Sequence, residues 1–199
     1  MNSSSMLHRL SSSCGLALLL SLLALTLPWA ASSAETMGVN AWQHLDWLIL
    51  LLTVALCALA GLTLVNQLLP RAFLVTALTL IALWQVTSVV KHAELAGQTQ
   101  FGFWSLVIAI GLCVWASMKF LATIRLFGNK AQGFINLMIP ALLGAWFISL
   151  WELAAIGFAI PHVLLPAPSV VGEAIVSSIP TLAADFNQTV IKAVIPGFL

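Results

Sequence analysis

The sequence predicts an all-α, polytopic membrane protein, and three observations carry that reading. Of its 199 residues, 61% are hydrophobic and only 7% are charged, where soluble chains run near about 25% charged. Several apolar stretches are long enough to cross a bilayer without a charge. The basic residues cluster at alternate ends of these stretches. The net charge is +1, from 7 Lys+Arg against 6 Asp+Glu. This balance excludes a disordered chain, which lacks apolar mass. It also excludes a nucleic-acid binder, which needs a basic patch to track phosphates. An ordinary soluble enzyme domain does not fit either.

Residues 1–13 are polar and include His8 and Arg9, and LALLLSLLALTLPWA follows from Leu16 to Ala30. A basic start, a short apolar core and a small-residue exit describe a signal peptide. Ser32 and Ala34 stand where cleavage would need small side chains. The alternative is an uncleaved signal anchor. The apolar core is short for a bilayer about 30 Å thick. Both readings place residue 35 outside.

Four main spans follow, at 47–69, 72–90, 103–123 and 134–160. Asp46 marks the entry of the first, and Pro70-Arg71 marks its exit. Arg71 and Lys91 bound the second, and KHAELAGQTQ at 91–100 is a polar loop. Lys119 closes the third, with Arg125, Gly128-Asn129 and Lys130 in the next loop. If Arg71 is inside, then Arg9, Lys119, Arg125 and Lys130 are inside too. Lys91 is left outside with Glu35, Asp46 and Glu94. Five basic residues against one is the positive-inside bias.

After Ile160 the pattern changes. Prolines stand at 161, 166, 168 and 180, and Pro166-Ala167-Pro168 interrupts regular helix. Ser169 is placed to cap a short helix over Val170–Ser178, with Glu173 in its early turns. Val170, Val171, Ala174 and Ile175 share a face, which suggests a helix lying at the outer interface. Residues 161–185 fall on the outer side. Thr189–Leu199, with Lys192 and Pro196-Gly197, opens a further apolar helix. Eleven residues would cover about 16 Å, so the expectation is a chain that ends inside a span.

The run LWELAAIGFAIPHVLLPAPSVVGEAIV, residues 150–176, resembles the first permease helix and outer loop of a binding-protein-dependent ABC importer. The type is the nitrate/sulfonate/taurine permease. Trp151-Glu152 matches the tryptophan–acidic pair of that helix. Leu165-Pro166-Ala167-Pro168-Ser169 matches its leucine–proline–small–proline–serine loop. Asp185, Thr189, Lys192, Gly197 and Phe198 match the lead into the next helix, where the family usually has Ser and Arg at the Thr189 and Lys192 places. Pro196 departs from the usual small residue. The resemblance covers about residues 134–199.

It implies a permease component for a small solute such as nitrate, sulfonate or taurine, in the bacterial cytoplasmic (inner) membrane. Transport would run by alternating access, with ATP bound by a separate ATPase subunit. An extracytoplasmic solute-binding protein and a second permease copy would be its partners, beside lipid and without nucleic acid. The family's cytoplasmic glutamate–alanine–alanine coupling loop is not found in these residues. The expected organisation is therefore 1–34 signal peptide or anchor, 35–130 a transmembrane extension, and 131–199 the start of a permease domain. The competing readings are a membrane scaffold or assembly protein, and an inert fragment of a split permease gene.

No catalytic, cofactor or metal site is predicted. The four His are scattered, no HExxH, GxSxG or GxxxxGK[ST] occurs, and Cys14, Cys57 and Cys113 read as small apolar packers. Glu152, the only acid in 134–160, is expected to make a structural contact more than to meet solute. Trp151 reads as a packing or interface residue. The two prolines read as setting the entry angle of the outer helix, with contact to a binding protein as the second role. Lys192 reads as a snorkelling interface cation.

Overall fold

The computed structural model describes residues 3–31, 38–64, 68–92, 95–125, 129–194 and 197. The cleavage positions Ser32 and Ala34, together with Glu35, Glu94, Gly128, Pro196 and Phe198, lie outside the described residues. Six α-helices dominate: α1 Ser3–Thr26, α2 Leu45–Leu59, α3 Leu68–Val89, α4 Phe101–Thr123, α5 Asn129–Gly157 and α6 Pro168–Phe186. The predicted all-α class therefore holds. Four of these regions are long and apolar enough to cross a membrane: Leu45–Leu62, Leu68–Val89, Phe101–Thr123 and Asn129–Gly157. They correspond to the four predicted main spans.

Boundaries differ in instructive ways. Pro70-Arg71 does not end a span but sits in the first turns of α3, where a proline's missing N–H has no intrahelical partner to lose. The end of α2 instead relaxes into a π-helical turn, Ala60–Leu64. There the Arg71 guanidinium donates to the Gly61 carbonyl and lies 4.9 Å from the centre of the Phe120 ring. Asn129 opens α5 rather than belonging to a loop. The helix α6 runs on past the predicted end at Ser178, through Pro180 to Phe186, and continues as a π-helical stretch, Asn187–Val194. Pro180 withholds one N–H from the Val176 carbonyl. Both positions are exposed, so water or a headgroup can satisfy the free oxygen.

The core is a bundle of α1 to α4 with α4 at its centre. More than half of the α4 span is buried, 56%, against 11% for α5. The widest helix–helix contact is α1 against α4. Cys14, Ala17, Ser21 and Ala24 of α1 are buried at the heptad-like spacing 3, 4, 3. Small side chains in register let backbones approach closely, the usual way helices pack where there is no water to drive them together.

Halfway along the bundle, three helices share polar atoms. Thr79 Oγ1 lies 2.9 Å from Ser117 Oγ and 3.4 Å from Cys57 Sγ. The three cysteines are buried, as packing residues are, and the Cys57 sulfur in addition lies 3.5 Å from the Val75 carbonyl oxygen. All three cysteines are free thiols.

At one end of the bundle gather Pro28–Ala30, Val39–Leu45, residues 89–92 and 95–100, and the end of α5. Two short strands, β1 Pro28–Ala30 and β2 Val39–Asn40, pair antiparallel there, and Ala30 bridges Thr99. Residues 95–98 of the polar segment form a turn. Gly97, at φ +74°, takes the left-handed conformation that lets its N–H reach the Ile156 carbonyl at 3.0 Å.

Candidate functional site

At this same end the structure brings together two of the sequence-predicted residues, Glu152 and Ser169. Glu152 lies one turn before the end of α5 and is 4% exposed. Ionised carboxylates are costly to bury without partners. Here Oε2 accepts from the Ser169 backbone N–H at 2.9 Å, and Oε1 accepts from the Ser169 hydroxyl at 2.6 Å. Lys91 Nζ completes the set, 3.2 Å from Oε1, with its side chain half exposed.

The reason for this geometry lies in the α6 N-terminus. Its N-cap is Ala167, which has no side-chain oxygen, and Pro168 occupies the first helical position. The next free N–H, that of Ser169, needs an acceptor. Glu152, seventeen residues upstream, supplies it. The expectation that Ser169 itself caps the helix is corrected: Ser169 lies inside the first turn, and its hydroxyl joins its N–H on the carboxylate. A carboxylate at a helix N-terminus also meets the positive end of the helix dipole.

Leu165 and Pro166 form the turn between the helices, and Ala167 is buried beneath it. A shallow cleft of about 310 Å³ adjoins this turn, lined by Ala96, Ile156, Ile160, His162 and Ala167 among others. Trp151 points the other way and is 40% exposed on the outer face of α5. Asp185, Thr189, Lys192 and Gly197 are exposed on α6 and beyond, apart from Glu152 and Ser169.

Lys91 was missed as a site residue. Its signal was nevertheless available: it is the only basic residue assigned to the outer ends, and Glu152 is the only acid in the span ending there. The turn at this end of the bundle holds α5 by further contacts. Thr99 Oγ1 donates to the Gly157 carbonyl at 3.0 Å, the Trp104 indole donates to Thr99 Oγ1 at 3.2 Å, and Trp104 stacks on Phe158 at 4.8 Å. A further contact, His92 Nε2 to Asp46 Oδ2 at 3.7 Å, joins the end of α3 to the start of α2.

The arrangement holds a bend between α5 and α6, with the buried carboxylate engaged by the Ser169 N–H, the Ser169 hydroxyl and Lys91. Among the described residues, no group of three His, Cys, Asp or Glu side chains is placed to hold a metal. The class that fold and site define is an α-helical membrane protein in which a bundle of helices is clamped to a further helix and an outlying elbow. In comparisons with known proteins, no family model, no curated protein and no solved structure matches the chain.

Proposed function

We propose that the chain is a permease component of an ABC importer for a small solute such as nitrate, sulfonate or taurine, seated in the bacterial inner membrane. The observation that carries this reading is the coincidence of pattern and geometry at the elbow. The Trp151-Glu152 pair and the Leu165–Ser169 loop are the segments that resemble the permease family. They are also the segments that meet, through Glu152 on the Ser169 N–H and hydroxyl. A carboxylate that caps the outer helix from within the first permease helix gives both motifs one physical purpose.

In this reading residues 161–185 lie on the outer side, where α6 offers an apolar face to the interface. Long enough to cross but not among the helices apolar enough to do so, α6 fits an interfacial position. Residues 131–199 contribute the opening of the permease domain, and residues 35–130, with α2–α4, form an extension that steadies it through Lys91. A separate ATPase would supply the energy, a solute-binding protein would deliver solute, and a second permease copy would complete the pathway.

The test is reconstitution into proteoliposomes with an ABC ATPase and a solute-binding protein of the nitrate/sulfonate/taurine type. The 199 residues have no phosphate-binding loop of their own, so alone they should show no ATP-driven uptake. With both partners present, the protein should take up labelled solute in an ATP-dependent manner. A folded product that neither binds the ATPase nor supports uptake would replace the importer with a scaffold.

A further inference from the structure

We infer that α1 is not removed from the mature protein but stays as the first helix of the bundle, the fitted partner of α2 and α4. This goes beyond the importer reading and does not depend on it. Three observations carry it.

The first is that α1 has two faces. Cys14, Ala17, Ser21 and Ala24 point into the bundle, whereas Leu16, Leu19, Leu22 and Leu23 are exposed. A leader that is recognised, cut and discarded needs average hydrophobicity only. Small residues inside and leucines outside are the requirement of a helix that packs permanently on one side and meets lipid on the other. The partner surface is shaped to match: Gly61, at the end of α2, lies directly against Cys14.

The second is Trp29, just after α1. It is fully buried, lies parallel to Trp47 with ring centres 5.3 Å apart, and meets Phe103 edge-on at 6.1 Å. Its indole N–H donates to the Ala24 carbonyl at 2.7 Å. Without Trp29, two large aromatic residues of later helices lose their cover.

The third is backbone pairing. The Gln100 N–H donates to the Trp29 carbonyl at 2.8 Å, and the Ala31 N–H donates to the Gln98 carbonyl at 3.0 Å. Gly102 sits under this segment so closely that an added Cβ would fall 2.6 Å from the Pro28 carbonyl oxygen and 2.7 Å from that of Leu27. The start of α4 is thus built around the exit of α1. The apolar part of α1, Ser12–Thr26, runs along the bundle from Cys14 at Gly61 to this exit.

The decisive experiment is intact mass and N-terminal sequencing of membrane-extracted, C-terminally tagged protein. The expected product retains residues 3–31. A mature start between residues 32 and 38 overturns the inference. A second readout is the melting temperature of the Trp29→Ala variant in detergent. A fall of several degrees is expected, since a retained Trp29 fills the core. An unchanged melting temperature overturns the inference, because a discarded residue leaves no mark on the mature fold. Replacing residues 1–34 by an unrelated cleavable leader should abolish protease resistance, and undiminished resistance would likewise count against it.

Discussion

Glu152 shows how a single side chain organises a junction. It stands at a depth where a lone carboxylate would be expelled or neutralised, and it persists because α6 presents donors to it. The three contacts differ in worth. Replacing Glu152 by Ala leaves the Ser169 N–H unsatisfied and should cost about 2–3 kcal/mol. Ser169→Ala removes one charge-assisted bond and should cost about 1–2 kcal/mol. Lys91→Ala removes a half-exposed partner that water screens, and should cost about 0.2–1 kcal/mol. Thermal or denaturant unfolding of purified protein should return that order, and a Lys91 effect larger than the Glu152 effect would contradict the geometry. Glu152 was legible in the sequence as a costly acid in need of a contact. Its partner was not, because a cap reaching across seventeen residues has no local signature.

At the scale of elements, the difference between α4 and α5 is one of surroundings rather than composition. Both are apolar enough to span, yet α4 is enclosed and α5 touches the bundle along a narrow stripe through Ile135, Leu142, Ser149 and Leu153. Glycines report the contrast. Gly102 of α4 has carbonyl oxygens within 2.7 Å of where a Cβ would stand, whereas Gly144 of α5 has nothing within 4 Å. Gly102→Ala should therefore destabilise by about 1–3 kcal/mol through overpacking. Gly144→Ala should be neutral or stabilising by up to about 1 kcal/mol, from helix propensity alone. Melting of the two variants side by side checks the assignment, and equal effects would refute it.

At the scale of the whole molecule, the helix ends sort into two groups. The segments carrying Asp46, Lys91, Thr99 and Glu152 meet at one end, and Gly61, Arg71 and Phe120 meet at the other. Combined with the basic bias, this predicts that cysteines placed at Gln98 and Asn129 label from opposite sides of the membrane. The background should lack Cys14, Cys57 and Cys113, and Gln98 should label from outside. Labelling of both positions from one side would break the alternation.

Hydrophobicity by itself determined the helical class, the four main spans and their approximate limits, because crossing a bilayer demands about twenty apolar residues wherever they stand in the chain. Charge sign by itself supplied the expected orientation. The same averages were blind to facing. They could not show that α1 has a bundle side and a lipid side, since alanine, cysteine and leucine are all apolar. They could not show that α6 runs past Pro180, nor that Cys57 meets Thr79. Those outcomes depend on which helices become neighbours, and a neighbour many residues away leaves no trace in local pattern. Only the tertiary structure, by placing the α6 N-terminus beside Glu152 and Lys91, turned three isolated residues into one junction.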